Sequence, residues 1–494
     1  MNSTISAKTI RSVIAASSVG TMIEWYDFYI FGMLAKTIST QFFPEGNTTA
    51  ALLSTLAIFA AGFIVRPFGA LVFGRLGDLI GRKYTFLLTL VLMGGSTFLI
   101  GLVPGYKTIG IAAPLLVLLL RLIQGLALGG EYGGAATYVA EHSPAGKRGY
   151  YTSWIQTTAT LGLFVALGII MLVKLNMSDA SFNEEWGGWR YPFWISILLV
   201  GVSVYIRLKM AESPLFSKLK AEGKTSVNPL KESFRHKGNF KMVLLALFGA
   251  VMGQGVIWYT GQFYAQNFLE TKCNIEFEQS RTIMLWAIAF ATPFFLFFGW
   301  LSDKIGRKWI MMAGMLLGII TYRPIFNTFL EDTNVERWKE EASVSGNDVL
   351  PNKTSIRYTL SNGANYVEEN ANASLTSLNS GPVYKEKHLS KTVYWKFIGL
   401  VFLLILYVTM VYGPIAAFLV EMFPTKIRYT SMSLPYHIGN GVFGGLVPFI
   451  GLLLTTSYPS DPLVGLWYPI GVAILCLVIG TIYLSNKIDK DVTD

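Results

Sequence analysis

The chain has 494 residues, of which 52% are hydrophobic and only 14% charged, and its net charge is +10. Ordinary globular chains are roughly a quarter charged. With a mean hydropathy of +0.47, too few charges remain to cover a watery surface, so lipid must solvate much of the molecule. A soluble multidomain enzyme is excluded, and the 2 cysteines and 4 histidines show no metal-like spacing.

Twelve apolar segments follow one another at 12–35, 50–73, 85–103, 111–141, 150–173, 191–206, 242–268, 282–300, 309–327, 397–419, 432–455 and 466–484. The opening MNSTISAKTIRS leads into the first without a small-residue cleavage site. That segment is therefore expected to stay in the membrane rather than leave as a signal peptide. With the N-terminus inside, the inner segments hold 23 of the 40 Lys and Arg, against 6 in the short outer loops. This bias predicts that both termini are cytoplasmic.

Residues 1–209 are expected to form one six-helix bundle and 242–494 the other, joined by a basic cytoplasmic linker at 210–241. In that linker Leu215, Phe216, Leu219, Leu230 and Phe234 have the spacing of short helices lying on the inner leaflet. Between spans nine and ten a polar stretch at about 328–396 is rich in Asn, Ser and Thr. Its composition favours a flexible external appendage without a part in transport. The run IRYTL, Asn362-Gly363 and NYV has instead the pattern of one hairpin on a tight two-residue turn.

An internal repeat divides the chain. GRLGDLIGRK at 74–83 returns as GWLSDKIGRK at 299–308, and EHSPAGKR at 141–148 returns as EMFPTKIR at 421–428. Both pairs lie at inner span ends, as two parallel halves require. The second offset exceeds the first because of the polar stretch after span nine.

Charge inside a span costs roughly 2.5–3.5 kcal/mol on insertion scales, so it persists where it faces a cavity or a partner. The first half holds Glu24 and Asp27 in span one, Arg66 in span two, and Arg121 and Glu131 in span four. Depth along the helices pairs Asp27 with Arg121, and Arg66 with Glu131. At the repeat offsets the second half places Gly249, Met252, Ala291, Val401 and Val411. A one-sided cluster points to function, against the competing reading of ion pairs that lock helices together. Span seven adds Gln254, Trp258, Tyr259 and Gln262, and Trp25, Tyr26 and Trp154 are candidates for the same cavity. Such rings can hold a quaternary ammonium group. His437 and Asn440 add polarity to span eleven, and Arg323 is expected to snorkel at the outer end of span nine.

IEWYDFYIFG at 23–32, VRPFGALVFGRLGDLIGRK at 65–83 and RLIQGLALGGEYGGA at 121–135 resemble the metabolite:proton symporter family of the major facilitator superfamily. One departure is Leu79, where the loop commonly has a basic residue. The resemblance implies an all-α membrane protein of twelve helices in two pseudo-repeated six-helix bundles. It implies proton-coupled symport of a small carboxylate-bearing metabolite, with a proton-coupled antiporter or a membrane sensor as alternatives. A monomer in a bacterial inner membrane, without cofactor or nucleic acid, is expected. Arg121 would bind the carboxylate with Gln124 beside it, and Arg66 would serve a second carboxylate. Asp27, Glu24 or Glu131 would carry the proton. The repeated loops resemble gates that latch the inner side, through Asp78, Arg82, Glu141 and Arg148 in one half and Asp303, Arg307, Glu421 and Arg428 in the other. In that reading Arg148 and Arg428 exchange partners with Asp78 and Asp303.

Overall fold

The computed structural model describes residues 7–80, 82–130, 136, 139–140, 143–144, 146–209, 235–350, 355–369, 383–423 and 428–486. Glu131, Glu141 and most of the expected linker lie outside them, as do the side chains of Asp78, Arg82 and Arg428. Helices occupy every expected span. They are α1 (Ala7–Met33), α2 (Thr48–Ile64, resumed as Arg66–Ile80), α3 (Arg82–Ile100), α4 (Ala112–Gly129), α5 (Arg148–Leu175) and α6 (Tyr191–Lys209). The second half has α7 (Lys237–Thr271), α8 (Phe277–Ile305), α9 (Lys308–Asp332), α10 (Lys391–Met422), α11 (Thr430–Ser457) and α12 (Trp467–Tyr483). Among the described residues nine helical stretches are long and apolar enough to cross a membrane. Leu172, Leu198 and Ile320 are exposed on the outside of the bundle, as a lipid-facing surface requires.

Local chemistry shapes the helices that meet at the centre. Pro67 lacks an N–H, so the helix cannot continue through it unbroken. α2 breaks at Val65 and restarts at Arg66. α4 comes close enough to α2 that a Cβ on Gly125 would lie 1.9 Å from the carbonyl oxygen of Gly62. α7 contains two π-helical segments, Leu247–Val251 and Thr260–Tyr264, and α11 contains one, His437–Gly444. Such segments recur at functional sites. All three lie in the second half. The halves meet mainly where α5 packs on α8 and where α2 packs on α11.

The polar stretch after α9 is a folded unit, which overturns the expectation of a flexible appendage. Strands β1 (Val344–Val349), β2 (Ser355–Leu360), β3 (Asn365–Glu369) and β4 (Val383–His388) form one antiparallel sheet in chain order. The expected hairpin is β2–β3, with Tyr358 opposite Tyr366. Its turn differs from the two-residue form. Leu360 N–H donates to the Ala364 carbonyl at 2.8 Å, and only Gly363 is left-handed, with φ 84°, so the loop has three residues closed by a glycine. Burial of Trp338, Leu360, Tyr366 and Val367 gives the unit a small core, which its polar average conceals.

The sheet is docked on the bundle. Lys387 N–H donates to the Asn274 carbonyl at 2.8 Å, and Glu276 N–H donates to the Lys387 carbonyl at 2.9 Å. The Lys387 ammonium donates to the Thr333 carbonyl at 2.7 Å. β4 thus grips the short loop between α7 and α8. Cys273 in that loop is fully buried, and burial pushes its thiol up to about 12. Only the thiolate reacts readily, so Cys273 should resist maleimide at neutral pH. Lys387→Pro removes the N–H that holds Asn274 and should raise the labelling rate at least several-fold. Unchanged labelling in that variant would show that the loop is held without the sheet.

Candidate functional site

Successive residues of α1 point to different neighbours, because each step turns the helix by about 100°. Trp25 and Tyr29, one turn apart, stack on each other at 4.9 Å and face α7, where Trp258 lies 5.3 Å from Tyr29. Phe263, Phe59, Phe63 and Tyr259 continue this packing across the interface between the halves. An open cavity was expected here. Instead the described rings fill the middle of the interface, and all are buried.

Tyr26 turns elsewhere. Its hydroxyl donates to the Pro192 carbonyl of α6 at 2.7 Å, so it ties α1 inside its own half rather than facing α7. Trp154 is partly exposed beside Tyr150. Arg323 does more than snorkel, because it pairs with Asp461 at 3.2 Å and lies over Trp467.

Phe28 faces α2 and α4, and two guanidinium groups stack on it. Arg66 lies 4.3 Å and Arg121 4.2 Å from its ring centroid. Arg66 also covers Phe63 at 4.1 Å and Trp25 at 5.6 Å. Arg121 also donates to the Phe28 and Phe59 carbonyls at 3.4 Å each and to the Gln124 side-chain oxygen. Among the described residues neither arginine forms a salt bridge.

The expected Asp27–Arg121 ion pair is absent. Asp27 lies on the side of α1 that faces α3 and α6. A Cβ on Gly94 of α3 would lie 3.3 Å from its Oδ2, and Ser196 of α6 is its polar neighbour. Neither carboxylate oxygen makes a hydrogen bond of standard geometry among the described residues. Glu24 is buried one turn before Phe28. Because Glu131 lies outside the described residues, its expected pairing with Arg66 has no geometry here.

Gln124 is fully engaged. Its amide N–H groups donate to the Asp27 carbonyl at 3.0 Å and to the Thr97 hydroxyl at 2.7 Å, while its oxygen takes Arg121. Within the second half Gln254 donates to Asn440 at 3.1 Å. Several buried atoms have no hydrogen-bond partner among the described residues. They include the Tyr29 and Tyr259 hydroxyls, Trp258 Nε1, both polar atoms of Gln262, both ring nitrogens of His437, and Nε and Nη2 of Arg66. Buried polar atoms are nearly always paired. This many without partners on facing helices marks a place for a polar guest or water.

Both ends of the interface are closed. At the end that carries the repeated loops, the Asp303 carboxylate accepts from the Gly149 and Tyr150 N–H groups at 2.8 Å each. These are the first turn of α5, where a carboxylate meets the positive end of the helix. Arg307 holds Asp303 at 3.0 Å and Glu421 at 2.6 Å. Asp303, Arg307 and Glu421 therefore come together as expected, but the α5 backbone, rather than Arg148, receives Asp303. Arg148 is buried at the same helix start.

The opposite end has a latch that sequence reading missed. Buried Arg281 of α8 donates to the Met33 carbonyl of α1 at 2.6 Å and pairs with buried Glu270 of α7 at 3.2 Å. Lys36 approaches Glu270 at 3.8 Å from the other half. Sequence placed both residues in a solvent loop. No spacing in the sequence pointed to the pair, because the apolar segments end at 268 and resume at 282, whereas the helices leave only residues 272–276 between them.

The comparisons with known proteins bear on this arrangement. Residues 13–227 match the family model described as "Sugar (and other) transporter". The inner membrane metabolite transport protein YhjE of Escherichia coli is 33% identical over 453 residues, covering 91% of this chain and 88% of that protein. The chain belongs to the metabolite transporters of the major facilitator superfamily. It is a transporter and not an enzyme. Alpha-ketoglutarate permease of Escherichia coli is 31% identical, over 92% of this chain and 89% of the permease. The proline/betaine transporter of Salmonella typhimurium is 28% identical, over 95% and 83%. The proton:xylose symporter XylE, bound to 6-bromo-6-deoxy-D-glucose, superposes with a TM-score of 0.68 at 16% identity over 99% of each chain. That likeness shows the fold.

The two latches make opposite predictions for this transporter. Asp303→Asn weakens the contact with α5 and should open the repeated-loop end by about fivefold in population, as a charge at a helix end is worth ~1 kcal/mol. Arg281→Gln leaves Glu270 buried without its closest cation and should open the other end. In variants lacking native cysteines, labelling at Ser153→Cys should rise only with the first, and at Thr37→Cys only with the second.

Proposed function

We propose that the chain carries a small organic acid into the cell with protons, by alternating access, in an inner membrane with both termini cytoplasmic. The observation that supports this reading is the Arg66–Phe28–Arg121 stack. Two buried guanidinium groups on one ring repel each other, and among the described residues neither forms a salt bridge. An anionic guest between the halves would supply the counter-charge. The rings near Arg66 already serve as faces for its own guanidinium, which leaves little ring surface for a substrate ammonium. This favours an organic acid over a betaine. The named substrate of the alpha-ketoglutarate relative has the carboxylate chemistry such a site would accept.

Arg121 and Arg66 are the carboxylate ligands in this reading, and Trp25, Trp258, Tyr259 and Gln254 line the rest. Asp27 carries the proton. Its link to Arg121 runs through its own backbone carbonyl and Gln124, not through a direct ion pair. Asp303, Arg307 and Glu421 form the inner gate with Asp78, Arg82, Glu141, Arg148 and Arg428. A membrane potential of about 150 mV supplies about 3.5 kcal/mol per net charge moved, enough for roughly 300-fold accumulation when each acid crosses with one proton more than its own negative charges.

Proteoliposomes and a panel of labelled lactate, succinate, alpha-ketoglutarate, shikimate and betaine provide the test. Acids should accumulate under an imposed proton gradient, and Arg121→Lys should lose at least about tenfold in affinity, because Lys lacks the planar two-point fork. Asp27→Asn should still exchange substrate across the membrane yet fail to accumulate it. Preferential uptake of betaine, or gradient-driven accumulation by Asp27→Asn, would overturn the corresponding part of the proposal.

A further inference from the structure

The orientation of Gln124 is decided by its partners. The Asp27 carbonyl can only accept a hydrogen bond, so the group facing it must be the amide NH2. The amide oxygen is thereby turned toward Arg121. The remaining N–H meets the Thr97 hydroxyl, whose own proton goes to the Met93 carbonyl at 3.0 Å. The Thr97 oxygen is therefore an acceptor for Gln124 and has no other arrangement that keeps both bonds. Thr97, Gln124 and Arg121 are all fully buried, so water cannot substitute for a lost partner.

We infer that Thr97 of α3 is a positioning residue for substrate recognition, holding the Gln124 amide so that Arg121 presents its guanidinium in one fixed orientation. This rests on the reading of Arg121 as the carboxylate ligand. The chain of contacts is directional: the α3 backbone fixes Thr97, Thr97 fixes Gln124, and Gln124 fixes Arg121. Thr97 touches neither guanidinium. Its effect is on where Arg121 points, and so on affinity more than on the speed of the conformational cycle.

Thr97→Val keeps the shape and removes the acceptor, while Thr97→Ser keeps the acceptor and removes a methyl group. Counterflow into proteoliposomes, with whichever acid of the panel gives the highest rate, separates half-saturation from maximal rate. Thr97→Val should raise half-saturation about tenfold with maximal rate changed less than about twofold, and Thr97→Ser should restore half-saturation to within about twofold. Equal impairment in both variants would show that Thr97 acts by packing and would overturn the inference. So would unchanged half-saturation in Thr97→Val. Arg121→Lys tells the two levels apart. If it binds like the parent, the ligand reading fails and this inference with it; if it loses affinity while Thr97→Val does not, only the present inference fails.

Discussion

Arg66 and Arg121 are buried, and both guanidinium groups stack on the Phe28 ring. Removing an ion from water costs several kcal/mol even after the protein relaxes. Aromatic faces return up to about 2 kcal/mol each when desolvated, and the Phe28 and Phe59 carbonyls and Gln124 add charge-assisted hydrogen bonds to Arg121. Much of the first half serves these two groups. The Pro67 break starts a helix at Arg66, and the close approach of Gly62 and Gly125 brings α2 and α4 together around the stack. The second half brings no formal charge to this layer at the repeat positions, but brings Gln254, Trp258, Tyr259, Gln262 and His437 with polar atoms still unpaired.

The division of labour between the ends follows from electrostatics as well. Each end is closed by one buried arginine that holds an acid, and the shortest described bond across the halves at each end involves backbone. At one end the acid Asp303 reaches the N–H groups that begin α5; at the other the arginine Arg281 reaches the carbonyl that ends α1. Carboxylate meets helix start and guanidinium meets helix end, which is the favourable sense of the helix dipole in both cases. Each contact is made to a helix terminus, so a rigid rotation of one half can release it without unwinding any helix.

Much of this was legible in the residues. Hydropathy placed twelve spans because a segment that crosses lipid has little freedom of composition, and the repeated G-x-x-x-D loops placed the halves. Depth along a helix could not give azimuth, and the Asp27–Arg121 pairing failed for that reason. Tyr26 failed similarly, since its position beside Trp25 in sequence puts it about 100° away in space. The insertion was misread because composition averages over a unit in which a few apolar residues, Trp338, Leu360, Tyr366 and Val367, turn inward to form a core. Arg281 and Glu270 were missed because hydropathy ended α7 and α8 a few residues short, and a charge beyond a span is by default solvated.

The three π-helical segments bear on how the two halves are aligned. A π turn holds about one residue more than an α turn, so Leu247–Val251 and Thr260–Tyr264 each insert a step into α7 that α1 does not contain. An offset fixed by the repeated loops, which follow both segments of α7, therefore holds only back to the second segment and slips by one position before each. Asp27 then corresponds to Met252, Val251 or Ala250 according to where the slip is placed, and none of these is charged. The asymmetry of charge between the halves survives that correction. The two bundles have thus diverged in helical register as well as in composition, and a residue-for-residue superposition of α1 on α7 will misalign the aromatic face unless each bulge is treated as an insertion.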